Sequence, residues 1–178
     1  MSFGENKQYT HLKIHTQYSI CEGALKTSDL AKKCKEDKIK AVGLCDSYNL
    51  CGALEFSESI SKSGTQPIIG TQININYKEH IGKIPMFAKN FIGYKNLINL
   101  SSKSYLEVDE NHVPHCKVED VINNYKGIIL LTGSLDGLIG KLYSKNLIDE
   151  IIIILKQLKK TFNNDLYLEI QRHNDVGE

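Results

Sequence analysis

Residues 11–23 of the chain, HLKIHTQYSICEG, place His11, Lys13 and His15 in alternation with Leu12 and Ile14. In an extended strand that period puts the polar side chains on one face and the aliphatic ones on the other. A His-x-His pair on a strand suits a single cation, and Glu22 follows closely enough to add an oxygen ligand. The middle residue departs from that chemistry, because protonated Lys13 has no lone pair to donate. Further polar groups stand at the ends of other apolar runs: Asp46 and Ser47 after AVGLC, Gln72 after PIIG, and His173 after LYLEIQ. In parallel α/β proteins the chemistry gathers at the carboxyl ends of the strands, so these scattered positions form one candidate cluster.

The elements that must position them follow from periodicity and punctuation. Strands are expected at Tyr9–Thr16, Ala41–Cys45, Pro67–Ile75, Lys83–Lys89, Gly127–Thr132 and Leu166–Gln171. Helices are expected from Thr27 or Ser28 to about Asp37, from Gly52 to Lys62 with Gly64 as the stop, and over Tyr94–Leu106, Val118–Tyr125, Leu135–Tyr143 and Leu147–Phe162. Strands alternating with helices predict βαβ units and a parallel sheet, open or closed into a barrel. Residues 107–117 are expected to be loop. The sequence ends just after a strand, so the final segment of the domain is expected to lie outside residues 1–178.

Bulk properties narrow the function. With 41% hydrophobic residues the chain has the composition of a soluble globular protein, and a net charge of +1 offers no broad field for nucleic acid or acidic membrane. Five cysteines without C-x-x-C spacing exclude a zinc ribbon and fit a reducing compartment. The opening MSFGENKQYT has no apolar stretch, and the run from Leu147 to Leu158 is too short and too charged to span a bilayer. A cytoplasmic protein with no membrane partner is expected. His112, His115 and Cys116 lack a second ligand pair and are assigned to a loop. Gly133–Gly137 (GSLDG) lacks the spacing of a phosphate loop and is assigned to a turn.

Six stretches, in order, carry a resemblance to a known family: HLKIHTQYSICEGALKTSDL at 11–30, AVGLCDSYNLCGALEF at 41–56, QPIIG at 66–70, GYKNLINLSSKSYLE at 93–107, ILLTGSLDGLIGKL at 129–142 and YLEIQRH at 167–173. The chain resembles the N-terminal PHP domain of bacterial replicative DNA polymerase III alpha subunits. That resemblance implies an α/β fold, the N-terminal portion of a distorted (β/α)7-type barrel, whose strand ends form a trinuclear metal cleft in catalytically active relatives. Matched to the family's ligand positions, His15, Glu22, Asp46 and His173 are retained, while Lys13, Ser47 and Gln72 replace two histidines and a glutamate. A cluster of divalent ions needs anionic and imidazole ligands to offset the repulsion between cations. The expectation is therefore a vestigial cleft with no bound metal and no catalytic residue, with Lys13 bonded to Glu22 or Asp46. The alternative is a single Zn2+ on His15, Glu22 and His173, serving a phosphoesterase or 3′–5′ exonuclease. The resemblance further implies a parent that is a Mg2+-dependent DNA-directed DNA polymerase. In it this domain would be a structural module contacting the polymerase core, the proofreading exonuclease and other replicase subunits, and DNA only through the parent.

Overall fold

The computed structural model describes residues 9–171. Twelve named elements alternate along them: α1 (Thr27–Glu36), β1 (Ala41–Ser47), α2 (Ala53–Lys62), β2 (Gln66–Tyr77), β3 (His80–Ala88), α3 (Phe91–Leu106), β4 (Cys116–Lys117), α4 (Val118–Asn123), β5 (Ile128–Leu131), α5 (Leu138–Ser144), α6 (Ile148–Phe162) and β6 (Leu166–Tyr167). The helices form where apolar residues recur at helical spacing. In α6, Ile154, Leu158 and Phe162 make one buried stripe, with Asp149 and Glu150 in the first turn and Lys159 and Lys160 in the last, matching the helix dipole. Gly64, at φ +83°, supplies the left-handed residue that ends α2. Helix α1 starts at Thr27, as expected. Lys26 is the capping residue, no side chain closes the helix end, and the Thr27 hydroxyl is buried without a partner.

The sheet runs β1-β2-β3-β5-β6, with β4 paired to β2 off this path. It is mixed, which corrects the expected all-parallel arrangement: β1–β2, β2–β4 and β5–β6 are parallel, whereas β2–β3 and β3–β5 are antiparallel. The cause is local. Lys78 and Glu79 both take positive φ (47° and 65°) between the paired Tyr77 and His80, a two-residue hairpin turn built without glycine or asparagine. No helix intervenes, so β3 must run back along β2. The two-residue β4 lies in the stretch assigned to loop, and it holds Cys116 buried against the Leu100 carbonyl.

The first expected strand is present as an extended segment rather than a regular ladder. Gly43 N–H donates to the His11 carbonyl and Cys45 N–H to the Ile14 carbonyl, both at 2.8 Å, and single bridges join Ile14 to Leu44 and Thr16 to Leu25. At the far edge, regular pairing stops at Tyr167 rather than Gln171. The segment beyond it remains tied by Glu169 N–H donating to Thr132 Oγ1 at 3.0 Å. These two ends meet: Lys13 Nζ donates to Glu169 Oε1 at 2.9 Å. The sheet thus curls until an ion pair, not a backbone ladder, joins its first and last segments.

Two apolar clusters hold the curl. One packs Leu30 and Cys34 of α1 and Phe56 and Ile60 of α2 on Val42 and Leu44. The larger packs Ile73, Ile75, Ile84 and Met86 against Leu97, Leu100, Leu142 and Leu158 of the following helices. Strand alternation leaves Gln72 and Asn74 of β2, and Lys83 and Pro85 of β3, on the opposite face.

Gly43 marks a close backbone approach between β1 and the 11–14 segment. A Cβ there would lie 2.4 Å from the Leu12 carbonyl oxygen. Gly43→Ala is expected to push the 11–14 segment off β1 and to cost about 1–3 kcal/mol, as overpacking does, measured as a lower urea midpoint.

Candidate functional site

A cleft of about 430 Å³ opens on the polar face of the sheet, lined by Lys13, His15, Glu22, Gln72, Lys83 and the Gly133–Gly137 turn. Its floor is set by register. Ser47 of β1 pairs with Gln72 of β2, so the two side chains are neighbours, and Gln72 Nε2 donates to Ser47 Oγ at 2.8 Å. One residue earlier the pleat reverses the direction, and Asp46 points away from the cleft. Its carboxylate is fully buried and accepts from Thr16 N–H (2.6 Å), Thr16 Oγ1 (2.8 Å) and Ser19 Oγ (2.6 Å). Ser19 Oγ in turn accepts from Ser47 N–H at 3.1 Å. This network folds residues 16–23 into a tight turn, with Glu22 N–H and Gly23 N–H both donating to the Ser19 carbonyl. The turn carries Glu22 to the cleft.

Both Glu22 oxygens are engaged there. Oε1 forms an ion pair with Lys83 Nζ, and Oε2 accepts from Ser47 Oγ. Burial alone would raise the Glu22 pKa, but the hydrogen bonds from Lys83 and Ser47 outweigh it and hold the carboxyl below its ordinary value. Lys83 shows the reverse balance: burial lowers it, and the bond to Glu22 more than restores it, leaving the ammonium above its ordinary value. The same ammonium lies 5.2 Å from the centre of the Tyr48 ring. Burial pushes the His15 imidazole below its ordinary value, with Lys13 adding to the effect and Glu22 opposing it. His15 Nδ1 and Glu169 Oε2 are buried with no hydrogen-bond partner.

The structure therefore brings together Lys13, His15, Glu22, Ser47 and Gln72, and it separates Asp46 from them. His173 falls outside the described residues. The expected pairing of Lys13 with Glu22 or Asp46 is corrected: Lys13 bonds Glu169, while Lys83 takes Glu22 and two hydroxyls take Asp46. The 11–14 segment directs Lys13 to Glu169 at the far edge of the sheet. Lys83, Glu169 and Ser19 are the residues that sequence reasoning missed. Lys83 did leave a trace, as a lone charge between Ile81 and Ile84 in a strand, out of phase with the buried Ile84 and Met86.

With this geometry in place, the comparisons define the class. A family model for the PHP domain matches residues 11–173, and the chain belongs to that family. Among curated relatives, the DNA polymerase III subunits alpha of Caulobacter vibrioides, Borreliella burgdorferi and Helicobacter pylori are 36%, 35% and 35% identical to it over 97–98% of the chain. The chain spans only 16% of the length of each. A solved structure assigned as a metal-dependent phosphoesterase from Bifidobacterium adolescentis shares the fold. Its TM-score is 0.53 at 13% identity, over 82% of this chain and 74% of that one.

The donor set of the described residues does not fit a multinuclear metal centre. Among the described residues no three His, Cys, Asp or Glu side chains are grouped to hold an ion. Every oxygen of Glu22 and Asp46 already accepts a hydrogen bond, Ser47 and Gln72 are neutral, and two ammonium groups line the cleft.

Two measurements test these assignments. Replacing Asp46 with Asn removes a charge from a network of three buried donors and is expected to cost about 3 kcal/mol in chemical denaturation. The pH dependence follows from the directions of shift. His15 and Glu22, both lowered, contribute stability that is present above their unfolded values near 6.5 and 4.5 and is lost as pH falls through the folded values. Lys83, raised, contributes stability present below 10.5 and lost as pH rises through its folded value. Urea midpoints measured against pH should fall in two acid steps, with Glu22→Gln flattening the lower one and His15→Gln the upper.

Proposed function

We propose that residues 1–178 are the PHP portion of a larger DNA polymerase III alpha subunit and act within it as a structural and interaction module. The parent then catalyses DNA-directed DNA synthesis with Mg2+ through residues elsewhere in the polypeptide. The PHP portion contributes a surface to the polymerase core, the proofreading exonuclease and other replicase subunits, and meets DNA only as part of that assembly. A cytoplasmic location fits this role, and no helix among the described residues is long and apolar enough to cross a membrane.

One observation carries the assignment of scaffold rather than phosphoesterase: Glu22, the carboxylate aimed into the cleft, has both oxygens taken by Lys83 and Ser47. An ion there would have to displace an ammonium and break a charge-assisted hydrogen bond. In this reading His15, Glu22, Asp46 and His173 are remnants of a metal site, and Lys13, Ser47 and Gln72 mark where its ligands have changed.

A second reading has a specific observation behind it. His15 Nδ1 is buried and unpartnered, the state of an imidazole that awaits a cation. A single Zn2+ on His15, Glu22 and His173 would support phosphodiester or 3′–5′ exonucleolytic hydrolysis. Assays of the purified chain with a chromogenic phosphodiester, with and without Mn2+, Zn2+ and a chelator, separate the two. The scaffold reading expects no metal-dependent turnover and no nucleotide incorporation on a primed template. Turnover that a chelator abolishes would favour the zinc reading.

A further inference from the structure

The hairpin that reverses β3 has a chemical consequence for the cleft. Its register sets Lys83 opposite Asn74 and Pro85 opposite Gln72, so the Lys83 side chain emerges beside Gln72 on the polar face. The Lys83 backbone is bridged to Gly137, the last residue of the turn that walls the cleft. From this anchored position the ammonium reaches Glu22 and lies against the Tyr48 ring. Tyr48 is itself fixed, with φ +66° and its N–H donating to the Gln72 carbonyl at 2.8 Å. Only 26% of the Lys83 side chain is exposed. The ammonium therefore contacts Glu22 and Tyr48 and, through Glu22, bears on the Ser47–Gln72 pair.

We infer that Lys83 is the built-in cation of the cleft: its ammonium organises Glu22, Ser47 and Gln72 in the way a divalent ion would, and by occupying Glu22 it keeps such an ion out. The inference rests on the scaffold reading and deepens it by naming the group responsible. The physical basis is charge balance. A carboxylate half withdrawn from water needs a partner, and an ammonium or a metal ion serves that need, but both together place like charges side by side. On the other wall Lys13 is paired with Glu169 and supplies no ligand.

Thermal unfolding of the chain with Lys83→Met, Lys83→Arg and the double change Lys83→Met with Glu22→Gln, each with Mn2+ or with chelator, tests the inference. Lys83→Met is expected to lower the melting temperature by roughly 5 °C, the shift typical of one lost charge-assisted bond in a domain of this size. Mn2+ is expected to recover part of that loss, and the recovery is expected to vanish when Glu22→Gln is added. The unaltered chain and Lys83→Arg are expected to be indifferent to Mn2+ and chelator. If Lys83→Met is recovered only unfolded, folding of the double variant shows the same coupling, and failure of both overturns the inference. It is also overturned by a Lys83→Met chain that loses no stability, or whose loss Mn2+ leaves untouched. Chelator-reversible stabilisation of the unaltered chain by Mn2+ would overturn the scaffold reading and the inference with it, whatever Lys83→Met does, whereas the outcomes above overturn the inference alone.

Discussion

The buried carboxylate of Asp46 is the constraint on which the cleft depends. It has no exposure to water and takes three hydrogen bonds from Thr16 and Ser19, which tie the turn that follows the first extended segment to β1. A buried charge left unpaired would be far costlier than ordering these few residues. Because Ser19 also accepts from the Ser47 backbone, the turn is locked to β1 at the residue whose hydroxyl meets Glu22. Asp46 thus acts on the cleft from behind it. Its work here is to hold the loop that presents a different carboxylate.

Around that anchor the positive charge of the cleft comes from side chains. Lys83 balances Glu22 and Lys13 balances Glu169, each by a direct ion pair only partly open to solvent. Pairs of this kind are less screened than surface salt bridges and depend on geometry, which here is supplied by a hairpin register and by a curled sheet. The chain thus joins relatedness to polymerase alpha subunits with the fold of a structure assigned as a metal-dependent phosphoesterase, and internal ion pairs hold its cleft.

The framework does not pass through the cleft. The two apolar clusters lie between the sheet and the helices, on the face away from Lys83 and Gln72. Hydrophobic burial of that extent sets the curvature of the sheet, and the polar face inherits it. The Lys13–Glu169 pair is then a consequence of curvature and a clasp upon it, joining segments separated by most of the chain.

Much of this was legible in the residues. The helices of 27–36, 53–62 and 148–162 follow from apolar spacing, and the parallel pairing of β1 with β2 from two short aliphatic runs around a helix. The family resemblance marked His15, Glu22, Ser47 and Gln72, and the fold does gather them. Three things were not legible. The hairpin at Lys78–Glu79 uses residues with no turn signature. The separation of Asp46 from Ser47 depends on which face of β1 meets α2. The partners of Lys13 and Lys83 depend on how far the sheet curls. Periodicity records whether a side chain is buried or wet, and that is a local property. Which carboxylate an ammonium finds is a matter of register and curvature, and those arise only when distant strands pack on a common core.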